Sequence, residues 1–501
     1  MRHWDKWADG QRSQIFVMPV AGGPAVSVMG DLVGDAPSKP FGGAEEIAWS
    51  RDGRTLFFAL REAGRIEPLS TNLDIFSAPA DASAAPTNLT DANDATDTMP
   101  AVSPDGKWLA YAAMKRPGYE SDRLVLTLRN IATGETRALT EDWDRSVGSI
   151  AWASDGASLL VTANDVLDNP VFRVDMASGK VTRLTDRGHA GSVVPLPRGG
   201  FVYAMDSIQS PADFWKMPAR GKPVRLTRVN ADRLAGVDDV SVERYSFKGA
   251  NGDTVWGQIV KPKDATGKLP VAFLVHGGPQ GSFNDSWSYR WNPKAFAAHG
   301  YAAVIVDFHG STGYGQAFTD SINKDWGGKP LEDLKLGLAA AAARDGQVDA
   351  GNACALGASY GGYMMNWIAG QWPDGFKCLV QHDGVFDARA MAYETEELWF
   401  DEWEHGGPYY EHPQEFEKWN PVNHVGAWKT PMMVVTGEKD FRIPYTQGLA
   451  AFTALQRRDI PSKLLVFPDE NHWVLKPRNS LQWYGEALAW LDRWTGAGKA
   501  D

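Results

Sequence analysis

Hydrophobic and polar positions follow two patterns along the 501-residue chain, and the change between them falls near residue 240. Before it, short segments that alternate apolar and polar residues are separated by turns rich in Gly, Asp and Pro, as in antiparallel sheets. After it, short continuous apolar runs alternate with segments of helical periodicity, as in a parallel sheet covered by helices. The pattern predicts two domains, residues 1–240 and residues 241–501.

The first domain carries an internal repeat built on a turn between two strands. A Ser-x-Asp-Gly turn or a close variant recurs at 50–53, 103–106 and 153–156, with a weaker copy at 197–200. In such a turn Asp accepts hydrogen bonds from its own backbone and Gly adopts a positive φ. Four short strands per period of about 45 to 50 residues predict the blades of a β-propeller, and a β-sandwich with coincidental turns is the alternative.

The number of blades follows from where the repeat begins. Residues 13–19 match the second half of a repeat without its first half, so we count about four and a half blades. Because a propeller must close to hide its edge strands, we expect that upstream blades are missing, with an open ring as the alternative. On that interpretation Met1 is an internal start. Residues 1–10 are too densely charged for a signal peptide, and periplasmic and cytoplasmic locations both stay open.

The net charge and the lengths of the apolar runs limit the kinds of partner that the chain can bind. The chain has 62 acidic and 50 basic side chains, a formal net charge of −12. A surface that binds nucleic acid or an anionic membrane needs the opposite sign, and no run of 18 apolar residues is present to span a bilayer. We therefore expect neither a nucleic-acid nor a membrane partner, while a homodimer stays open.

The second domain contains five apolar runs typical of buried parallel strands. They lie at 271–275, 302–306, 353–356, 378–380 and 432–435, with helical segments that include 331–344 and 445–457. This alternation predicts a doubly wound, mostly parallel sheet.

One of these runs is followed by a candidate nucleophile, Ser359. The sequence Gly357-Ala358-Ser359-Tyr360-Gly361 stands between an apolar run and a helical segment. This is the context of a G-x-S-x-G elbow, a strained turn whose small neighbours leave the serine Oγ exposed to a substrate. The alternative is a serine that only caps the helix.

A serine nucleophile needs a base and an acid. In hydrolases with such a sheet and a G-x-S-x-G elbow, the three residues follow along the chain in the order Ser, Asp, His. Asp440 comes after the apolar run, and His472 is the one histidine beyond it. We predict that His472 takes the Ser359 proton and returns it to the leaving amine, while Asp440 fixes the imidazole tautomer. Asp469 is the competing acid. Four further histidines after Ser359 are expected at the surface or in packing: His382, His405, His412 and His424.

The oxyanion of the intermediate needs two backbone donors. Tyr360 N–H, directly after the nucleophile, is one candidate. The other is Gly278 N–H in the segment 276–279 that follows an early strand, with His276 as the supporting side chain. The alternative for this segment is a plain turn.

Together these motifs resemble the prolyl oligopeptidase family of serine peptidases, in particular its dipeptidyl peptidase V and acylaminoacyl peptidase branch. The matching segments are 276–279, 308–315, 357–363, 440–444 and 470–473. The resemblance implies an α/β-hydrolase domain lidded by a propeller, which usually has seven blades, with short peptides entering a cavity between them. Proline-specific relatives carry a tyrosine where this sequence has His276, which moves it away from strict proline specificity.

The resemblance also suggests how a substrate is held. Glu45 and Glu46 are similar to the glutamate pair with which dipeptidyl peptidases of this family bind the substrate ammonium, the alternative being two solvated loop residues. The segment between Val385 and Pro421 is rich in aromatic residues. We expect part of it to form an apolar P1 pocket, with simple core packing as the alternative. The leading pocket candidates are Phe386, Trp399 and Trp403.

Other chemistry is not indicated. The sequence lacks HExxH, CxxC and phosphate-loop motifs, and residues 91–97 lack the Gly and Glu of a calcium loop, so we expect no metal or cofactor. Cys354 and Cys378 fall on successive strands. We expect buried thiols, although a disulfide is geometrically open.

These observations predict a serine peptidase that cleaves short peptides through an acyl-enzyme and releases N-terminal dipeptides with a small or apolar P1 residue. The alternatives are an acylaminoacyl peptidase, which takes blocked N-termini, and a carboxylesterase. A further alternative is a catalytically silent binding protein.

Overall fold

The structure is a computed structural model that describes residues 2–62, 64–237 and 239–497. The chain divides into two compact units. The α/β unit comprises Met1–Trp7, Ser207–Pro211 and Asn230–Asp501, and the repeat unit comprises Ala8–Asp206 and Ala212–Val229. No helix in the described ranges has both the length and the apolar character needed to cross a membrane.

The repeat unit is built from antiparallel sheets of consecutive strands. Three of the sheets have four strands each, which pair in sequence order, and a fourth sheet has five strands. In chain order the strands of these four sheets are Gly34–Asp35, Ile47–Trp49, Thr55–Glu62, Asp74–Pro79 and Thr87–Asn88; Asp97–Val102, Trp108–Ala113, Val125–Asn130 and Thr136–Ala138; Ser149–Trp152, Ser158–Thr162, Val171–Asp175 and Val181–Arg183; and His189–Pro195, Gly200–Ser207, Ser210–Pro218 and Val224–Arg225. A two-stranded pair, Phe16–Val17 with Val26–Ser27, precedes them.

The turns of the repeat have the predicted chemistry. Gly53 and Gly106 adopt φ of 70° and 74°, and the preceding Asp52 accepts the Arg54 N–H at 3.1 Å. Gly156 repeats the positive φ, at 68°. The turn prediction is therefore confirmed.

Consecutive sheets of the repeat unit pack face to face. In the strand Ser158–Thr162, Leu159 and Val161 pack with Leu126 of the preceding sheet. Leu160, which points to the opposite face, packs with Phe201 of the next. Because residues i and i+1 of a strand face opposite sides, an inner sheet is covered on both faces. This stacking is typical of successive blades and differs from a two-sheet sandwich, in which each sheet has one covered face.

The α/β unit is organised around an eight-stranded sheet in the described residues. Its strands are β1 (Val240–Lys248), β2 (Thr254–Pro262), β3 (Leu269–Val275), β4 (Ala302–Asp307), β5 (Val348–Ala358), β6 (Cys378–His382), β7 (Met432–Gly437) and β8 (Ser462–Phe467). They lie in the order β1-β2-β4-β3-β5-β6-β7-β8. The pairs β1–β2 and β2–β4 are antiparallel, and all later pairs are parallel.

Helices cover both faces of this sheet. Phe273 of β3 packs in one core with Leu334, Met364 and Leu455. Its neighbour Leu274 packs in the opposite core with residues of other helices. The helices of the unit are Ala231–Leu234, Pro293–Ala298, Gln316–Asp320, Lys329–Arg344, Tyr360–Gln371, Ala388–Glu394, Leu398–His405, Pro413–Lys418, Tyr445–Arg457 and Pro477–Thr495. Because the pairs from β4–β3 to β7–β8 are parallel, the carboxyl ends of these strands lie at one edge of the sheet. Ligand sites of such sheets form at that edge.

The two cysteines correct an expectation. Cys354 and Cys378 are register partners on β5 and β6, with Cα atoms 4.7 Å apart, and the structure joins them in a disulfide. The expectation of free thiols is wrong for this structure, because the parallel register brings the two Cα atoms within bridging distance.

Candidate active site

Ser359 stands on a sharp turn between β5 and the helix Tyr360–Gln371. Its backbone has φ 59° and ψ −123°, and its side chain makes no capping hydrogen bond to the helix. A Cβ on Gly357 would lie 2.4 Å from the Gly361 carbonyl oxygen, and one on Gly361 would lie 2.2 Å from the carbonyl oxygen of Val275. Glycine is thus required at 357 to form the turn and at 361 to pack the turn against β3, as in a nucleophile elbow. These features speak against the helix-cap alternative.

Asp440 and His472 come together at the ends of β7 and β8. His472 Nδ1–H donates to Asp440 Oδ2 at 2.7 Å, and both side chains are buried. The other oxygen of Asp440 accepts the backbone N–H groups of Arg442 and Ile443 at 3.0 and 2.9 Å. These bonds fix the carboxylate, which in turn holds Nδ1 protonated and leaves Nε2 as the basic nitrogen. Asp469 is exposed and binds Lys476 instead.

The surroundings of His472 favour its protonated form. Burial lowers the pKa of His472, but the negative charges of Asp383 and Asp440 and the hydrogen bond that His472 donates to Asp440 outweigh burial, so the pKa is raised above its ordinary value. The positive charge of Arg442 opposes this increase. His472 is therefore suited to accept a proton and hold it through an intermediate.

A second buried carboxylate, Asp383, lies beside this pair. Its Oδ1 accepts the Ser359 N–H at 2.6 Å, and its Oδ2 lies 3.5 Å from His472 Nδ1. Sequence reasoning missed Asp383. The signal was present, because Asp383 directly follows β6 just as Asp440 follows β7 within a few residues.

Asp383, Asp440 and His472 place three donor atoms within 4.8 Å of one another. This spacing alone would suit a metal ion. However, Nδ1, the nitrogen that faces both carboxylates, already donates its proton to Asp440. The arrangement is therefore that of a hydrogen-bonded acid–base pair.

The segment 276–281 packs against the nucleophile turn. A Cβ on Gly277 would lie 3.1 Å from the Cβ of Ser359. His276 is buried and donates Nδ1–H to the Gly277 carbonyl at 2.7 Å, while its Nε2 accepts the Ser311 hydroxyl at 2.8 Å. Burial lowers the pKa of His276 to about 4, with the Gly277 bond opposing this shift. His276 is thus a neutral residue that braces the segment containing Gly278.

The two N–H groups predicted to bind the oxyanion, those of Tyr360 and Gly278, lie in the nucleophile turn and in the segment 276–281. Tyr360 N–H is the first of its helix, and the first N–H groups of a helix lack partners within the helix. The Tyr360 side chain is buried and its hydroxyl donates to the Trp326 carbonyl, which fixes the start of the helix.

Residues 2–7 form a strap over the two loops that carry Asp440 and His472, which sequence reasoning also missed. Trp4 C=O accepts the Phe441 N–H at 3.1 Å, and Asp5 accepts Asn471 Nδ2–H at 3.0 Å. No local sequence signal marks these contacts, because they join residues more than 400 positions apart.

The predicted P1 residues differ in their surroundings. Phe386 and Trp399 are buried, and Trp403 is half-buried. Phe386 belongs to the core on one face of the sheet, where its ring lies 5.6 Å from that of Trp428. Core packing, the alternative for this segment, thus accounts for Phe386.

The predicted glutamate pair lies in the repeat unit, on the short helix Ala44–Glu46. Glu45 is exposed, whereas Glu46 is buried and accepts the Ser38 N–H and hydroxyl, each at 2.7 Å. Burial raises the pKa of Glu46, although the two Ser38 bonds oppose this shift.

The other histidines after Ser359 have different environments. His382 and His405 are buried. His382 packs near the rings of Trp291 and Trp483, with centroids 6.4 and 6.1 Å away, and its Nε2 lies 3.3 Å from Asp383 Oδ2. His405 stacks on Phe416 with ring centroids 3.9 Å apart, which is a packing role.

Comparison with known proteins identifies the family. The model of the prolyl oligopeptidase family matches residues 287–498, and that of acetyl xylan esterase matches residues 214–328. Dipeptidyl-peptidase 5 of Schizosaccharomyces pombe is 36% identical over 517 residues, covering 99% of this chain and 74% of the relative. The chain belongs to the prolyl oligopeptidase family. Dipeptidyl-peptidase 5 of Porphyromonas gingivalis is 32% identical over 504 residues, covering 98% and 73%.

Solved structures of prolyl oligopeptidase family members share the architecture. Acylaminoacyl peptidase of Pyrococcus horikoshii matches with a TM-score of 0.79 at 20% identity, covering 91% of this chain and 71% of the other. Dipeptidyl peptidase 4 of Porphyromonas gingivalis matches with a TM-score of 0.69 at 17% identity, covering 94% and 65%. The predicted combination of a propeller with an α/β-hydrolase domain is confirmed at this level.

Proposed function

We propose that this protein is a serine peptidase that hydrolyses short peptides through an acyl-enzyme and releases N-terminal dipeptides. One observation carries the proposal: a buried Asp440–His472 hydrogen bond occurs together with a serine on a sharp strand-to-helix turn, in a chain that is 36% identical to a dipeptidyl-peptidase 5 over 99% of its length. An α/β-hydrolase fold without catalytic activity needs neither a serine in a strained turn nor an imidazole bound to a carboxylate, so the two features together indicate catalysis.

We assign the three residues the following roles. Ser359 Oγ attacks the scissile carbonyl while His472 Nε2 takes its proton and then gives it to the leaving amine. Asp440 holds the tautomer and stabilises the imidazolium formed in that step. The backbone N–H groups of Tyr360 and Gly278 stabilise the oxyanion, with His276 bracing the loop of Gly278.

We assign residues 241–501 to the peptidase domain, with a doubly wound sheet, and the repeats within residues 1–240 to about four and a half propeller blades, with residues 2–7 lying in the α/β unit. The stacked sheets of the repeat unit and the helices on both faces of the β1–β8 sheet support this division.

Substrate recognition is proposed at two places. Glu45 and Glu46 bind the free ammonium of the substrate. The buried carboxylate of Glu46 beside a second glutamate supports this role, since a bound cation would relieve two like charges. Of the three P1 candidates, Phe386 packs in the core, and Trp399 and Trp403 are proposed to contribute apolar surface to the P1 side, with Trp403 the more exposed of the two.

The deciding experiment compares substrates that differ only at the N-terminus. A dipeptidyl-nitroanilide, its N-acetylated form and an aminoacyl-nitroanilide are tested against the wild type and Ser359→Ala. We expect hydrolysis of the free dipeptidyl substrate by the wild type alone. Preference for the acetylated form would indicate an acylaminoacyl peptidase, and hydrolysis of nitrophenyl esters without any amide would indicate a carboxylesterase. The absence of a fluorophosphonate adduct on Ser359 in folded protein would indicate a silent binding protein.

The anchor is tested with the double variant Glu45→Gln/Glu46→Gln. We expect a raised KM for free-amine dipeptidyl substrates and little change for a simple ester. An equal effect on the ester would contradict the anchor.

A further inference from the structure

Asp383 occupies an unusual position between the nucleophile and the base. Its side chain is fully buried, and it contacts the backbone of Ser359 through one oxygen and faces the ring of His472 with the other. Its backbone adopts φ 40°, a region that non-glycine residues enter rarely and that clusters at functional sites. The Asp383 N–H donates to the Val435 carbonyl of β7 at 2.9 Å, which holds this conformation.

The second oxygen of Asp383 is oriented toward imidazole nitrogens. Oδ2 lies 3.5 Å from His472 Nδ1 and 3.3 Å from His382 Nε2. Among the residues that the structure describes, this oxygen has no hydrogen-bond donor of its own. A buried carboxylate oxygen that lacks a donor is costly, so a donor that becomes available nearby would be bound. The donor that becomes available when Asp440 is removed is His472 Nδ1–H, which Asp440 accepts at 2.7 Å. His382 Nε2, at 3.3 Å, is the other imidazole nitrogen within reach of this oxygen.

We propose that Asp383 is a positioning residue for this reaction: its carboxylate ties the backbone of Ser359 to the ring of His472 and is a second acceptor for His472 Nδ1–H. The inference rests on the proposed function, because it assigns Asp383 a part in activating Ser359. Asp440 is the primary acceptor at the shorter distance. Asp383 adds negative charge beside the His472 ring. When Asp440 is removed, Asp383 accepts the Nδ1–H in its place and keeps Nδ1 as the protonated nitrogen.

The charges around Asp383 are consistent with this role. Burial raises the pKa of Asp383 to about 6, with His472 lowering it, Asp440 raising it, and the Ser359 N–H and Arg290 lowering it. His382, the remaining titratable neighbour, is kept neutral because burial, together with His472 and Arg290, holds its pKa well below the ordinary value. In its ionised form Asp383 therefore places a negative charge beside the base.

The test is a double-mutant cycle of Asp383→Asn and Asp440→Asn. The readouts are kcat/KM on a dipeptidyl-nitroanilide and the rate of fluorophosphonate labelling of Ser359. Loss of a triad acid without a substitute costs about 10⁴-fold in kcat. We expect Asp440→Asn to lose about 10²-fold, because Asp383 then orients His472. We expect Asp383→Asn alone to lose only a few-fold, and to cost about another 10²-fold in the Asp440→Asn background.

A role confined to the Ser359 turn predicts something different. In that case Asp383→Asn would reduce activity by the same factor in both backgrounds, and the second-acceptor inference would be overturned. The pH profile gives an independent readout. Removal of a negative charge from beside His472 should move the acidic limb of kcat/KM to lower pH, and an unmoved limb would contradict the inference.

A matched control is Asp333→Asn. Asp333 is also buried and also accepts a backbone N–H and a histidine Nδ1–H, both from His309. We expect it to change stability without synergy with Asp440→Asn. Should Asp383→Asn not fold, Asp440→Asn decides by itself. Its loss should stay near 10²-fold, and a loss near 10⁴-fold at all pH values would overturn the inference.

Failure of the proposed function would look different from failure of this inference. A wild type that cleaves none of the peptides but reacts with the phosphonate at Ser359 would contradict the peptidase assignment. The cycle measured by labelling rate would then still decide the role of Asp383.

Discussion

Trp4 lies edge-on against His472, with ring centroids 5.6 Å apart and planes 78° apart. The same ring lies 4.7 Å from that of Trp473 and 5.0 Å from the guanidinium carbon of Arg442. Arg442 in turn pairs with the buried Glu396 at 2.7 Å. The base, the loop of the acid and the strap 2–7 thus form one packed cluster, and the orientation of the imidazole depends on more than its bond to Asp440.

Replacing Trp4 tests this dependence. We expect Trp4→Ala to lower kcat/KM about 10-fold, because a misplaced catalytic group can cost up to about 10²-fold, and Trp4→Phe to retain most of the activity. Trp49→Ala is the matched control, since Trp49 is a half-exposed tryptophan of the repeat unit. Kinetics on a dipeptidyl-nitroanilide with thermal unfolding alongside make the check. Equal kcat/KM for Trp4→Ala and Trp49→Ala would contradict a positioning role.

The raised pKa of His472 sets a pH dependence. The base must be neutral to accept the Ser359 proton, so kcat/KM should rise with pH through an apparent pKa above 6.5. The sign for stability is opposite. A histidine whose pKa is raised by folding stabilises the protein below its unfolded pKa, and this contribution is lost as pH rises through the folded value. A pH series of kcat/KM and of chemical unfolding checks both, and an acidic limb at or below 6.5 would contradict the assigned surroundings of His472.

The close packing of the nucleophile turn makes a further prediction. Gly361→Ala places a Cβ 2.2 Å from the Val275 carbonyl oxygen, so the turn must move, and we expect activity to fall at least 10²-fold. Gly485→Ala is the control, because it lies exposed in the helix Pro477–Thr495 with nothing within 4 Å of the added atom. We expect Gly485→Ala to raise the free energy of unfolding by about 0.5–1 kcal/mol. A fully active Gly361→Ala variant would be incompatible with this turn.

The sequence was most informative where one local rule fixed both element and role. The helix predicted at 445–457 is Tyr445–Arg457, and the chain order Ser, Asp, His selected the histidine and aspartate that the structure joins. The same rule, applied to β6, would have selected Asp383. Trp4 was beyond reach, because its contact with His472 depends on how distant segments pack and no period or motif records that. Phe386 was ambiguous for a related reason, since an aromatic side chain suits a pocket and a core equally.

The disulfide between β5 and β6 gives a prediction that can be tested without an activity assay. With Cys354 and Cys378 as the chain's two cysteines, unreduced protein in denaturant should contain no reactive thiol, and reduced protein should contain two. Because the bridge closes a loop of 24 residues, its removal by Cys354→Ala/Cys378→Ala should lower the free energy of unfolding by about 3 kcal/mol. Two reactive thiols in the unreduced protein would contradict the bridge. In that case the wild type and the double variant should also respond identically to reductant, since the stabilisation comes from the covalent link and not from the buried sulfur atoms.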